Sequence, residues 1–140
     1  MITVRLDSLE ATEGWSASDA TQRFRSAFPL HASAGTHHTA VVYFEIDPGG
    51  ALGTHTDSVE EVVLILDGTV VVELGTERGE LSSGSIALVP AMVPHAVRNP
   101  GSTVARCVGF FSGARVVTTF ADAVMPPGLR TFDTGHLPAG

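Results

Sequence analysis

From Thr39 onward, short apolar runs rich in valine, isoleucine and phenylalanine alternate with glycine and proline punctuation, a pattern that predicts a compact antiparallel β-protein. The runs cover residues 39–46, 61–66, 69–74, 85–89, 95–98, 104–111 and 115–120. Between them stand Pro48-Gly49-Gly50, Asp67-Gly68, residues 75–79, 82–84 and 90–94, Pro100-Gly101 and Ser112-Gly113, each with turn chemistry. Asp67-Gly68, set between two apolar runs, is the strongest hairpin signal. The runs VVLIL and TVVVEL are apolar on both faces. One face then lines a barrel and the other needs a second sheet or a partner subunit, which predicts a homodimer or higher symmetric oligomer.

The two ends read differently. Residues 16–28 are polar with Phe24 and Phe28 four apart, compatible with a short helix or an irregular arm. Residues 125–140 hold three prolines and three glycines and read as a tail that wraps or frays. The expected organisation is one domain over 1–140, with a barrel core at about 36–120, an N-terminal arm at 1–30 and a C-terminal tail at 125–140, since a chain of 140 residues supplies one core. No internal repeat or low-complexity segment interrupts it.

Composition narrows the function classes. Hydrophobic residues form 44% of the chain and charged ones 16%, which is not a disordered composition. No apolar run approaches the roughly 20 residues that span a bilayer, and MITVRLDSLEATEGW has no basic region followed by an apolar stretch. The expectation is a soluble cytoplasmic protein with no membrane partner. Fifteen carboxylates against eight arginines leave a net charge of -7, so phosphate backbones are repelled and no nucleic-acid partner is expected. The absence of lysine removes Schiff-base chemistry and the phosphate-loop lysine. Cys107 is the single cysteine; it excludes an intramolecular disulfide and a thiolate-rich zinc cage, and it reads as a small buried hydrophobe.

Candidate chemistry concentrates in GGALGTHTDSVEEVVLILDG and GSIALVPAMVPHAVRN. His55 and Asp57 sit two apart, and in a strand such residues project from one face. Glu61 shares parity with Val63 and Ile65, whereas Glu60 points the other way. A carboxylate on an inward apolar wall requires a cation, a proton or a dense set of donors. His95 adds a second imidazole. Two imidazoles with one or two carboxylates form an oxygen and nitrogen set suited to iron(II), manganese(II), zinc(II) or nickel(II).

These segments resemble the two conserved motifs of the cupin superfamily. The first places glycine, five residues, His-x-His, three or four residues, glutamate, six residues and glycine, here met by Gly49, His55, Asp57, Glu61 and Gly68. The second places glycine, five residues, proline, x, glycine, two residues, histidine, three residues and asparagine; Gly84, Pro90, His95 and Asn99 match, with Met92 at the inner glycine. The resemblance implies an all-β fold, the cupin double-stranded β-helix or jelly-roll barrel. It also implies a metal site of His55, Asp57, Glu61 and His95, with Asp57 where the family usually carries its second histidine. Asp57 is then either a ligand or an acid or base beside a His55, Glu61, His95 triad, and Asp57 and Glu61 are the candidate catalytic groups. Met92 demands a loop conformation without glycine's freedom and is a candidate to narrow the pocket mouth.

Other candidates take bland readings. His38, on the parity of Phe44, is a pocket candidate outweighed by a surface reading, and His37, His31 and His136 are surface residues. Arg98 and Arg106 are solvated cations. Tyr43, Phe44, Met92, Phe110 and Phe111 read as core. The function implied is a metal-dependent cupin enzyme acting on a small organic molecule, an oxygenase-type oxidoreductase of dioxygenase kind. A non-redox isomerase, lyase or cyclase, and a non-enzymatic ligand-binding cupin, are the alternatives.

Overall fold

Each apolar run expected from residue 39 onward is a strand in the computed structural model, which describes residues 1–137. The strands are β1 Thr12–Ser16, β2 Arg23–Leu30, β3 Ala40–Ile46, β4 Ala51–Asp57, β5 Glu61–Asp67, β6 Thr69–Leu74, β7 Glu77–Ser82, β8 Ile86–Val89, β9 His95–Arg98, β10 Ala105–Phe111, β11 Val117–Met125 and β12 Leu129–Asp133. They form one antiparallel sheet in the order β7-β6-β9-β4-β11-β1-β2-β3-β10-β5-β8, with β12 beside β11. Six strands separate β9 from β5 in that order, roughly 30 Å across a flat sheet. Yet Glu61 Oε1 of β5 lies 3.8 Å from His95 Nε2 of β9. The sheet therefore curls over on itself, and the all-β jelly roll places its inward residues around one interior.

The alternation within strands sets what faces that interior. In β5, Glu61, Val63 and Ile65 are buried while Val62 is exposed. In β3, Ala40, Val42, Phe44 and Ile46 turn inward against Cys107 and Phe111 of β10. The outer face of β8, β5 and β10 keeps Val62, Ile86, Leu88 and Phe110 exposed, with Phe110 opposite Val62 and Val62 opposite Leu88. Phe110 is thus an outward residue and not core.

Three expectations change. Residues 16–28 hold no helix: β1 and β2 occupy the middle of the sheet order. A spacing of four satisfies strand parity as well as a helical turn, and Phe24 points inward while Arg25 pairs outward with Glu45 and Asp47, both at 2.9 Å. The Asp67-Gly68 signal does not close a hairpin, since β5 pairs with β10 and β8 and β6 with β7 and β9. With only Gly68 between the strands, the chain turns a corner from one side of the barrel to the other. Gly68 has φ 83°, and a Cβ there would meet Ala105 Cα at 3.1 Å. The hairpin is instead β6–β7, turned by Gly75 and Thr76. Its second strand, ERGELS, lies at the sheet edge with no buried residue, so it carries no apolar signal. Finally, the C-terminal stretch contributes β12 and a 3₁₀ turn at Thr134–His136; the expected tail's residues 138–140 lie outside the described ones.

Candidate metal centre

Strand register assembles the site. His55 of β4 is directly opposite His95 of β9, so their imidazoles meet with centroids 4.1 Å apart. On the other flank of β4, Thr118 and Phe120 of β11 stand opposite Asp57 and His55. Asp57, two residues beyond His55, shares its inward face. Residues 58–60 then carry the chain across the barrel mouth, and Glu61 begins β5 on the facing wall. All four candidate residues are buried. One ligand atom from each of His55, Asp57 and His95 lies within 4.8 Å of the others. Glu61 lies beside this cluster, 3.8 Å from His95.

The surroundings orient each group. His55 Nδ1 is 2.7 Å from the Gly53 carbonyl, and His95 Nδ1 is 2.9 Å from that of Val93. A carbonyl only accepts, so each Nδ1 donates and each Nε2 is turned toward the cluster. The Thr118 hydroxyl donates to Asp57 Oδ1 at 2.6 Å, which leaves Oδ2 facing the histidines. Glu61 lies over Gly109 of β10: a Cβ there would sit 2.0 Å from Glu61 Oε2, so only glycine admits this carboxylate position. Met92, at the family's glycine position, adopts φ 63° and donates its N–H to the Asp57 carbonyl at 2.8 Å. A left-handed conformation costs a side-chain-bearing residue about 1–2 kcal/mol. The Met92 side chain is exposed and is absent from the cavity wall, so it does not narrow the mouth.

Burial and proximity set the electrostatics. Burial holds the His55 imidazolium off and takes its pKa down to about 4, with His95 adding repulsion. Burial opposes charge on His95 too, but the facing Asp57 and Glu61 carboxylates outweigh it and carry His95 up to about 10. Burial likewise raises Glu61. For Asp57 the same penalty is overcome by His95, His55 and Thr118, and its pKa falls. Asp57 Oδ2 and His95 Nε2 are 3.2 Å apart but misaligned, so both are buried without a hydrogen-bond partner. Their mutual effect is therefore one of close charge. Orphaned buried polar atoms cost about 1–3 kcal/mol each, and a cation accepting both, with His55 Nε2 3.8 Å from the same oxygen, would satisfy them. Two imidazole nitrogens and a carboxylate oxygen fit a divalent transition metal.

The remaining candidates separate cleanly. His37, His38, His136 and Arg98 are exposed. Arg106 pairs with Asp67 at 2.8 Å and reaches the Tyr43 hydroxyl. His31 is not a surface residue: it is 3% exposed, with Nδ1 3.2 Å from the Thr134 carbonyl, because the 3₁₀ turn that follows β12 packs against it. Cys107 is fully buried and its thiol is pushed up to about 12 by burial, which suits a hydrophobe and not a nucleophile. Phe44 and Phe111 line the cavity beside the cluster. Thr118 and Phe120 were absent from the sequence-based candidates. Their inward parity on β11 was the available signal, but nothing local reveals that β11 lies against β4.

The sequence model of the family described as Cupin domain matches residues 42–111, half of the chain, and the chain belongs to the cupin family. No curated protein is detectably similar in sequence. Among solved structures, oxalate decarboxylase from Lactobacillus farciminis superposes with a TM-score of 0.66 at 15% identity over 70% of this chain, which spans only 31% of that protein. A putative sugar phosphate isomerase from Acidithiobacillus ferrooxidans gives 0.65 at 14% identity over 100% of this chain and 96% of that one. The polyketide cyclase RemF from Streptomyces resistomycificus gives 0.64 at 17% identity, covering 79% and 78%. Likeness at these identities is likeness of fold.

Proposed function

We propose that this chain is a metal-dependent cupin enzyme of the oxygenase type, acting on a small organic molecule. The supporting observation is the buried pair of orphaned atoms, Asp57 Oδ2 and His95 Nε2, beside His55. His55, Asp57 and His95 would hold iron(II), manganese(II), zinc(II) or nickel(II) as two histidines and one carboxylate, with Glu61 as a fourth ligand or a proton-transfer group. The bound ion would supply Lewis acidity and, if redox-active, electrons for dioxygen chemistry. The chain itself does the rest. The Gly53 and Val93 carbonyls hold the imidazoles in one tautomer, Thr118 fixes the Asp57 rotamer, and Glu61 on the facing wall is placed to take or give a proton. The apolar walls exclude water.

Metal analysis of protein purified without chelator, paired with dioxygen uptake, tests this reading. Asp57→Ala is expected to lose the metal. Metal retained with turnover lowered by roughly a hundredfold would make Asp57 a proton-transfer group instead. The likeness to RemF over more than three quarters of both chains favours one other reading, a non-redox cyclase, isomerase or lyase on the same metal. Metal-dependent turnover without dioxygen consumption would establish it. The uncovered apolar face on β8, β5 and β10 further supports a homodimer, which sedimentation at micromolar concentration checks.

A further inference from the structure

Behind the polar cluster lies a cavity of about 1280 Å³, above the usual range of roughly 300–1,000 Å³ for small-molecule sites. Six of the seven phenylalanines, Phe24, Phe28, Phe44, Phe111, Phe120 and Phe132, line it. One aromatic group starts at the metal cluster: the Phe120 ring is 5.0 Å from that of His55, stacks on Phe24 at 6.0 Å and meets Phe132 edge-on at 5.9 Å. Phe28 stacks on Phe111 at 6.4 Å. Among the described residues, no arginine lines the cavity.

The charge balance is decisive for substrate class. With no arginine and five carboxylates, Glu10, Glu13, Asp57, Glu61 and Asp133, on its wall, the cavity offers no guanidinium fork to an anion. A small dicarboxylate entering this interior would lose its hydration with no arginine to receive its second charge. An uncharged aromatic molecule instead gains buried area and ring contacts. We propose that the cavity takes an uncharged, multi-ring aromatic molecule, oriented with one end at the His55, Asp57, His95 cluster. This assignment rests on the metal-enzyme reading for its orientation at the cluster and on the wall for its shape.

The test uses N-phenyl-1-naphthylamine, a neutral multi-ring fluorophore, titrated into the protein as purified, with metal content measured on the same samples. One saturable site per chain with a blue-shifted emission is expected, and millimolar oxalate should not displace it. Phe120→Ala should weaken binding about tenfold, the equivalent of 1.4 kcal/mol, and the milder Phe132→Leu should weaken it less while keeping the fold. Phe110→Ser, on the outer face and absent from the cavity wall, should leave probe affinity unchanged even where it alters the oligomeric state. Displacement by oxalate, absence of a saturable site, or loss of binding in Phe110→Ser with Phe120→Ala unaffected would each overturn the proposal. Probe binding to a chain that holds no metal would uphold the aromatic cavity and sink the metal reading alone, whereas metal without probe binding does the reverse.

Discussion

His95 and Asn99 stand four residues apart, at the start of β9 and just beyond its end, and both side chains are buried. Asn99 is completely provided for. Its amide donates to the Ile46 and Thr103 carbonyls at 2.8 Å each, and its oxygen accepts the Gly101 N–H at 2.9 Å. It ties the end of β3 to the loop before β10. His95 is provided for on one nitrogen only, and its Nε2 faces an equally unpartnered Asp57 oxygen. Two polar residues of one motif are thus buried in opposite states: one has every hydrogen bond made and stabilises loops, and the other, on the proposed function, keeps a nitrogen free for a metal ion. Unsatisfied polarity in an otherwise well-satisfied interior marks a site, because the fold alone gains nothing by keeping it.

Three substitutions press on this contrast. The largest effect falls on metal binding: His95→Ala is expected to reduce metal from about one ion per chain to background, and to lower the melting temperature of the metal-free protein, because the buried Asp57 and Glu61 carboxylates lose the imidazolium that faces them. Elemental analysis and calorimetry on the same preparation read both. Metal lost to the same degree in Asn99→Ala, or kept in His95→Ala, would erase the distinction between the two residues.

Asn99→Ala should show the converse, a loss of about 3 kcal/mol from three hydrogen bonds at about 1 kcal/mol each, seen as an earlier urea midpoint. Metal stoichiometry at low temperature should be unchanged. The smallest effect is expected at Thr118, which touches the cluster only through Asp57. Thr118→Val should weaken metal affinity by about 10–100-fold with little loss of stability, and Thr118→Ser should restore it. A Thr118→Val protein with unaltered affinity would show that the hydroxyl does not position Asp57.

Much of the fold was legible because strands from β3 onward write their burial into period-two alternation and glycine-rich turns, as in Glu61, Val63 and Ile65 against Val62. The failures came where that signal is weak or shared. β7 has charged residues on an exposed edge, and β2 carries arginines on one face that read as a polar arm until β1 and β3 bring Glu13, Glu45 and Asp47 alongside. Asp67-Gly68 has hairpin chemistry, but whether a turn returns the chain to its neighbour or sends it across a barrel depends on pairings made elsewhere.

The amino-acid sequence by itself determined the motif spacing, the family resemblance and the inward parity of His55, Asp57, Glu61 and His95, because each follows from residues a few positions apart on one strand. Only the tertiary structure decided that His55, Asp57 and His95 share one point while Glu61 stands beside them, that Thr118 holds Asp57, and that six phenylalanines from β2, β3, β10, β11 and β12 meet around a single cavity. Those relations depend on which strands become neighbours and on how far the sheet curls. Both are set by packing the whole interior at once, and no local run of residues encodes them.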